Sequence, residues 1–236
     1  GRFERTGEAS LFAMVDELTR KVKSDLNLSA SSIAGDVDGG IGAITTASPE
    51  AYKLFIEGRR LHIERDYRDS ILVMEKAVAI DPEFAMAYRS IASAYGNLGY
   101  PAKRQEYLEK ALQHSKRLSA AQKYLIQASY YSISEKTLLK SIEAYEKLME
   151  LYPDTQFKHS LAIQYNRIGE VDKAIKLYET MIRVDGNRSV SVYNGLMNRY
   201  QDKCMYDKAL ETGREYIRDV DDGAIIRRAI AWVYLL

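Results

Sequence analysis

The residue types that most often carry out chemistry are few in this chain and widely spaced. Its three histidines, His62, His114 and His159, and its single cysteine, Cys204, do not have the spacing of a metal site. A nucleophilic pair of His159 and Cys204 would need an activated thiolate and an oxyanion site, and no motif indicates either. We therefore predict that the chain is not an enzyme and that it uses no metal or other cofactor.

A glycine-rich stretch near the N-terminus contains two partial motifs. Residues 36–40 read Asp-Val-Asp-Gly-Gly, but a calcium-binding loop also needs a third acid or amide and a late glutamate at fixed spacing. Residues 39–42 lack the Lys-Ser/Thr pair that follows the glycines of a phosphate-binding loop. We interpret this stretch as a linker.

Composition indicates a folded protein whose surface carries charges of both signs. The chain has 46% apolar and 28% charged residues, and only 4 prolines among 236 residues. Its 34 basic and 33 acidic side chains leave a net charge of +1, so we expect no nucleic-acid partner. No apolar run reaches about 18 residues and the N-terminus lacks the pattern of a signal peptide, so we predict no membrane span and a cytoplasmic location.

The clearest order in the sequence is an internal repeat. Similar segments start at residues 70, 104, 141, 174 and 209, at steps of 34, 37, 33 and 35. Residues three apart share a helix face, so a small residue followed by an aromatic lets a paired helix approach while the ring fills the adjacent gap. The sequence pairs in phase with these segments are Gly58 with Leu61, Ala92 with Tyr95, Ser129 with Ser132, Ala162 with Tyr165, Met197 with Tyr200, and Ala231 with Tyr234.

This pattern resembles the tetratricopeptide repeat (TPR) family, in which each repeat is a pair of helices. The resemblance implies an all-α solenoid, a right-handed superhelix of antiparallel helix pairs with about five full repeats and a partial sixth. The third repeat departs most from the pattern, because Ser132 stands in the aromatic position and the step before it is 37 residues, so we expect a longer turn or longer helices there. The predicted array covers residues 49–236, as repeats 49–83, 84–118, 119–153, 154–187, 188–222 and the partial 223–236.

The segment before the array divides into a predicted helix and a linker. Residues 1–28 contain one apolar stripe of helical period and are interpreted as a helix at the end of a preceding module, and residues 29–48 are rich in glycine, serine and threonine. Ser48, Pro49 and Glu50 are typical of a helix start. Together with residues 44–52 and Gly58, this start resembles that of the C-terminal repeat arms of large bacterial multidomain proteins. The resemblance implies that the chain is an accessory arm of a longer protein.

In the TPR family, the first helices of the pairs line a concave groove that binds peptides. Amides four residues apart, such as Asn194 and Asn198, can bind a peptide backbone as donor and acceptor, and arginine can bind a carboxylate through two hydrogen bonds. The open alternative is that these side chains belong to an ordinary solvated face. The family pattern assigns to the groove Tyr52, Phe55, Arg59, Arg89, Ser93, Asn97, Lys123, Gln127, Tyr130, His159, Asn166, Arg167, Asn194, Asn198, Arg228 and Trp232.

The leading hypothesis is therefore a non-catalytic scaffold that binds a protein or peptide. Some family members bind a C-terminal carboxylate with a Lys and Asn pair four residues apart, but here Phe55 and Arg59 occupy those positions, so that mode of binding is not predicted. Two alternatives remain open. One is single-stranded RNA binding by a helical repeat, which the net charge of +1 disfavours. The other is self-association through the apolar end at residues 232–236.

Overall fold

The computed structural model describes residues 46–152, 157–220 and 223–235, and these residues form eleven α-helices and no strand. The predicted all-α class is therefore confirmed. The predicted helix within residues 1–28 and most of the 29–48 linker lie outside the described residues. The chain divides into two compact units, one ending at residue 153 and the other starting at residue 154.

The first unit consists of three helix pairs. Its helices are α1 Pro49–Ile63, α2 Tyr67–Ile80, α3 Ala85–Asn97, α4 Pro101–Gln113, α5 Ala120–Tyr131 and α6 Leu138–Leu151. Within each pair the first helix packs on the second, and each pair packs on the next through α2 with α3 and α4 with α5. The first helices also contact one another, α1 with α3 and α3 with α5. This packing of each pair on its neighbours is that of a solenoid.

The second unit contains two helix pairs and one further helix. Its helices are α7 Lys158–Arg167, α8 Val171–Arg183, α9 Val190–Asp202, α10 Tyr206–Asp219 and α11 Ala224–Val233. Each helix packs on the next in the chain, and α11 also packs directly on α9. The Lys158 ammonium, which is almost fully buried, lies 2.6 Å from the Asp185 carboxylate and so ties the start of α7 to the loop after α8.

The first helix begins where the sequence predicts. The Ser48 hydroxyl accepts a hydrogen bond from the amide of Ala51 at 3.1 Å, which satisfies one of the donors left free at the helix N-terminus. Pro49 occupies the first helical position, where its missing N–H is not needed. At the other end of first helices, Gly99 and Gly169 have φ of 79° and 83°, a left-handed conformation that side chains disfavour.

Small residues mark the contact between the two helices of a pair. Gly58 on α1 is buried, and a Cβ atom added there would lie 2.5 Å from Met74 Cγ of α2. At the same contact the buried Ser70 hydroxyl of α2 donates a hydrogen bond to the Gly58 carbonyl at 2.7 Å. Ala92 and Ala162 are completely buried in the equivalent helices α3 and α7. The predicted positions of these three small residues are therefore confirmed.

In the third pair, the small residue at the helix contact lies one position earlier than the sequence predicts. The buried Ser141 hydroxyl of α6 donates to the Ala128 carbonyl of α5 at 2.8 Å, which is the same bond that Ser70 makes to Gly58. Ala128, and not Ser129, is therefore the small residue at the contact, and Tyr131 follows it by three residues in place of Ser132. The extra residue lies in the turn between the two helices, which contains a short 3₁₀ helix at Glu135–Thr137.

The long step before the third repeat is also explained by the turns. A second short 3₁₀ helix, Ser115–Arg117, lies between α4 and α5. The α5 helix then starts with a capping box, in which Ser119 and Gln122 bond to each other's backbone amides. The predicted longer turn is therefore confirmed.

Tyrosine hydroxyls connect neighbouring pairs through hydrogen bonds to glutamates. Tyr107 of α4 donates to Glu75 of α2 at 2.7 Å, and Tyr200 of α9 donates to Glu179 of α8 at 2.6 Å. Burial, followed by the hydrogen bond to the carboxylate, raises the pKa of both phenols above the ordinary 10.0. These bonds hold the contact between successive pairs on its partly buried side.

We expect tryptophan in place of Ala92 or Ala162 to destabilise the fold, because each residue is completely buried at a helix contact. Overpacking of this kind typically lowers the free energy of unfolding by about 1–3 kcal/mol. Urea unfolding followed by circular dichroism measures the change. The exposed Ala79 of α2, changed to Trp, is the matched control and should leave the unfolding midpoint unchanged. Midpoints unchanged in all three variants would contradict the assigned contacts.

We expect Tyr200→Phe to lower the free energy of unfolding by about 1 kcal/mol at neutral pH, because Glu179 loses its buried donor. The pKa of Tyr200 is higher in the folded chain than in the unfolded chain, so the phenol of the unfolded chain ionises first as the pH rises. The stabilisation by Tyr200 is therefore complete below about pH 10 and is lost at higher pH. Denaturant unfolding between neutral pH and pH 11 should therefore show a shallower alkaline loss in the variant. The exposed Tyr100, changed to Phe, serves as the control.

Candidate functional site

A glycine on α9 sets how closely the first helix of one pair approaches the pair before it. A Cβ atom added at Gly195 would lie 2.6 Å from the Cζ atom of Tyr178 of α8. The Tyr178 side chain is almost fully buried, and its ring meets the ring of His159 of α7 edge-on, with 5.5 Å between centroids. The absence of a side chain at Gly195 therefore allows the close approach of α9 to α8.

A cluster of buried residues then fixes α11 on α9 and α10. Tyr193 and Met197 of α9, Tyr216 of α10, and Ile226 and Ala229 of α11 pack together beneath the surface. The rings of Tyr193 and Tyr216 are 5.0 Å apart and meet edge-on. The neighbouring side chains of α9 and α11, which point away from this cluster, are thereby held at fixed separations.

These outward side chains form an open pocket of about 490 Å³ between α9 and α11. One wall presents the amides of Asn194, Asn198 and Gln201, which are four and three residues apart along one face of α9. The other wall presents Arg228 and Trp232 of α11, with Ile225 and Ala229 beside them. The pocket thus brings together four residues that the sequence assigns to the groove: Asn194, Asn198, Arg228 and Trp232.

The polar groups of this pocket are available to a ligand. Within the described part of the chain, no hydrogen bond or ion pair engages the side chains of Asn194, Asn198 or Arg228. Trp232 exposes 60% of its surface, far more than the other aromatic residues of this unit's core. An amide wall facing a cation and an indole can bind a peptide backbone, a carboxylate and an apolar side chain at the same time.

The sequence analysis missed three residues of the pocket. Gln201 follows Met197, the small-residue position of its repeat, by four residues, as the assigned Asn166 follows Ala162, so the pattern itself contained the signal. Ile225 and Ala229 also line the pocket and were not among the residues assigned to the groove; Ala229 belongs at the same time to the buried cluster.

The first unit contains a second set of predicted residues, on α1 and α3. Arg59 of α1 and Arg89 of α3 both lie close enough to His62 that their charges lower its pKa, after burial, which is the larger cause. The Arg59 guanidinium also lies over the Phe55 ring, 5.9 Å from its centroid. Two arginines and a histidine from two repeats therefore meet at one place on the first helices.

His62 is the functional candidate that the sequence analysis omitted in this unit. Its Nε2 atom lies 3.3 Å from the Asn97 side-chain nitrogen, a contact that joins α1 to α3. Its Nδ1 atom and the Nε atom of Arg89 are both buried and have no hydrogen-bond partner among the described residues. Like Gln201, His62 lies four residues after the small position of its repeat, here Gly58, so the family pattern would have included it.

Phe55 does not line the groove as predicted. Only 4% of its surface is exposed, and its ring packs against Phe84 with 4.9 Å between centroids. Phe84, just before α3, needs an apolar partner, and a phenyl ring at position 55 supplies it. The Tyr52 ring lies 6.3 Å from the Phe55 ring and is half-buried, so it remains a groove candidate.

The predicted residues on α5 do not share one pocket. Gln127 lines a smaller pocket of about 240 Å³ between α5 and α6, together with Tyr124, Tyr131 and Lys140. Tyr130 contacts the Tyr131 ring edge-on at 5.6 Å. Lys123 and Tyr130 are half-buried, and Ser93 and Asn97 of α3 are exposed. Their assignment to a groove stays a prediction.

On α7, the predicted residues have different surroundings. His159 is partly buried against Tyr178, and burial lowers its pKa. Arg167 is exposed and donates a hydrogen bond to Gln164 at 3.0 Å, and Asn166 is half-buried. Cys204 is an exposed free thiol in the turn after α9.

Among the described residues, no three His, Cys, Asp or Glu side chains come together as metal ligands. None of the described helices has the length and apolar character needed to cross a membrane.

We expect Gly195→Ala to lower the free energy of unfolding by about 1–3 kcal/mol, because the new methyl group would overlap the rigid, buried ring of Tyr178. Gly96→Ala is the matched control, since a Cβ atom at this exposed position would lie 3.1 Å from Arg104 Cδ, farther than the 2.6 Å at Gly195. Replacement of a helical glycine by alanine by itself favours the helix by about 0.5–1 kcal/mol, so the control should lose less stability than Gly195→Ala. Chemical denaturation of both variants measures the difference, and equal midpoints would contradict the close approach of α8 and α9.

Comparisons with known proteins agree with this architecture. Residues 87–116 match the tetratricopeptide repeat sequence profile. Curated protein sequences give no match to the chain. Among solved structures, a thermophilic TPR protein of Thermus thermophilus is similar with a TM-score of 0.65 and 16% identity, over 79% of this chain and 100% of that chain.

Two further structures have the same kind of fold. The APC/C hetero-tetramer Cut9–Hcn1 gives a TM-score of 0.61 at 16% identity, over 95% of this chain and 46% of that chain. Pseudomonas aeruginosa PilF gives 0.54 at 16% identity, over 79% and 89%. At such low identity these likenesses show the fold alone. With the profile match and the stacked helix pairs, they lead to one conclusion: residues 87–116 match a tetratricopeptide repeat, and the chain has the helix-pair fold seen in solved TPR proteins.

Proposed function

We propose that this protein is a non-catalytic scaffold that binds an extended peptide segment of a partner protein in the pocket between α9 and α11. The observation that carries the proposal is the convergence of four side chains, predicted from two different repeats, on one pocket: Asn194, Asn198, Arg228 and Trp232. TPR proteins are generally interaction scaffolds, and this fold implies protein or peptide partners.

The size and rigidity of the pocket support peptide binding. Its volume of about 490 Å³ can hold one or two side chains together with their backbone. The walls stand on helices whose inner faces pack in one buried cluster, so the groups are already in place before a ligand arrives. A partner therefore loses less free energy to ordering of the site than it would on a flexible surface.

The chemistry of the walls describes the segment that would bind. Successive amides on α9 can donate to and accept from the main chain of an extended peptide. The Trp232 indole offers a flat apolar surface to an aliphatic or aromatic side chain, and Arg228 offers two parallel donors to a carboxylate.

RNA binding is less well supported by this pocket. A single-stranded RNA site neutralises several phosphates and stacks successive bases on aromatic rings. Arg228 is the one cationic side chain among the residues that line the pocket, and Trp232 is their one aromatic ring.

The proposal is tested with peptides selected from a random phage-displayed library on the purified chain. The selected peptides are synthesised, and their dissociation constants are measured by isothermal titration. We expect Asn194→Ala, Asn198→Ala and Trp232→Ala each to weaken binding about tenfold, since each removes a contact that is made only with the ligand.

The control substitutions are Gln113→Ala on α4 and Arg183→Gln on α8, both at exposed positions away from the pocket. Both should bind the selected peptides as the unmodified chain does. Circular dichroism confirms that each variant is folded, and light scattering detects self-association through α11. Affinities unchanged in all three pocket variants would show that this pocket is not the peptide site.

The role of the chain within a longer protein stays a prediction from its sequence. The resemblance of residues 44–58 to the repeat arms of bacterial multidomain proteins supports an accessory role. Determining the coding sequence around this segment is the direct test.

A further inference from the structure

We infer that α1 and α3 hold a second recognition site, centred on Arg89 and His62, that binds the side-chain carboxylates of an acidic segment in a protein partner. The inference extends the proposed scaffold function, on which it rests, by naming the chemistry of a partner segment for the first unit. It involves residues different from those of the α9–α11 pocket.

Arg89 makes no ion pair with an acidic side chain among the described residues, and this is the first observation that supports a carboxylate site. Arg89 is half-buried on α3, and its Nε atom is buried without a hydrogen-bond partner among the described residues. No ion pair to Arg89 occurs within the described part of the chain. A buried guanidinium donor loses its water without gaining a partner, and a bound carboxylate would satisfy it with a charge-assisted hydrogen bond.

A second unpaired polar atom lies nearby on the adjacent first helix. His62 Nδ1 is buried and has no hydrogen-bond partner among the described residues, while its Nε2 atom is held 3.3 Å from the Asn97 amide. The His62 ring is further fixed edge-on against Tyr67 of α2, with 5.0 Å between centroids. The imidazole is thus oriented by two contacts, and one ring nitrogen has no partner among the described residues.

The electrostatic surroundings favour an anion. The charged groups that act on His62 are Arg59 on its own helix and Arg89 on α3, and both lower its pKa in addition to burial. No carboxylate contributes to this shift. Positive charges from two repeats lie near His62, and an anionic group bound there would be attracted to them.

The arginine on the outer face of α1 differs from Arg89 in having acidic partners. On the exposed side of α1, the Arg60 guanidinium bonds to both Glu57 and Glu64 at 2.7 Å. The chain thus places acids beside the arginine on the outer face, whereas no acid acts on His62 beside Arg89. Ser93 and Asn97 are exposed on the same helix as Arg89 and can bind the main chain of the same segment.

The test uses a short, fluorescently labelled peptide of glutamates, amidated at its C-terminus so that only side-chain carboxylates are present. The glutamine peptide of the same length is the neutral comparison. We expect the full chain to bind the glutamate peptide and to bind the glutamine peptide at least tenfold more weakly, as judged by fluorescence anisotropy. Arg89→Gln should weaken glutamate binding by about tenfold or more, because a bidentate charge-assisted contact is lost.

Arg60→Gln is the matched control, since it removes the same charge from the outer face of α1. Equal weakening by Arg60→Gln and Arg89→Gln would show a non-specific charge effect and would overturn the inference. Equal binding of the glutamate and glutamine peptides would also overturn it.

A second measurement reports on His62 directly. Titration of its imidazole by nuclear magnetic resonance should show a pKa that rises when the glutamate peptide is bound, because the carboxylate stabilises the imidazolium. The glutamine peptide should leave this pKa unchanged. A His62 pKa that is the same with and without the glutamate peptide would overturn the inference even if the affinities behaved as expected.

The two proposals can fail separately. If the pocket variants of α9 and α11 weaken the selected peptides while Arg89→Gln leaves glutamate binding unchanged, the scaffold function stands and the carboxylate site is wrong. If Arg89→Gln weakens glutamate binding while the pocket variants leave the selected peptides unaffected, the carboxylate site stands and the α9–α11 pocket is wrong.

Discussion

The close approach of helices at residues with little or no side chain is the contact on which the rest of this structure depends. At Gly58 the backbone carbonyl accepts a hydrogen bond from the Ser70 hydroxyl of the paired helix. At Gly195 the backbone packs against the ring of Tyr178. Such contacts bury backbone as well as side chains, so they tolerate no added volume. They set the separation between helices within a pair and between neighbouring pairs.

The separation of the first helices in turn determines what their outer faces can bind. Tyr193 and Met197 of α9 pack against Ile226 of α11, and the residues on the opposite side of these helices form the pocket walls. In the first unit, the contact between α1 and α3 brings His62 within 3.3 Å of Asn97. In both units, the proposed recognition surface combines residues that are roughly thirty to forty positions apart in the sequence but occupy similar places in their repeats.

Much of this could be predicted from the sequence, because the repeat imposes its period on the residue types. Buried small residues such as Ala92 and Ala162 recur at a fixed phase, and a repeated pattern identifies them without knowledge of the fold. The start of α1 was also predictable, since Ser48 and Pro49 act on the backbone beside them. Among the sixteen residues assigned to the groove, the four that meet between α9 and α11 come from the two first helices whose contact the repeat implies.

The remainder depends on contacts that one sequence does not reveal. The register of the third pair was off by one residue because both Ala128 and Ser129 are small, and only the bond from Ser141 distinguishes them. Phe55 was assigned to the groove because the pattern counts positions, whereas the nearby Phe84 ring decides that the side chain is buried. The sequence already assigned Arg89 to the groove, but the buried, unpaired atoms of His62 and Arg89 are visible only in the structure.

The pocket side chains of α9 and α11 make no hydrogen bonds to the framework that carries them, within the described part of the chain. The packing contacts and the side chains of the proposed binding site therefore lie largely on different faces of the same helices. Exchanges at the exposed positions are expected to change the free energy of unfolding by no more than about 0.5 kcal/mol, as is usual for surface substitutions. Such a framework can acquire a new binding preference through mutation without first gaining stability to compensate, so its specificity is free to diverge while its architecture stays the same.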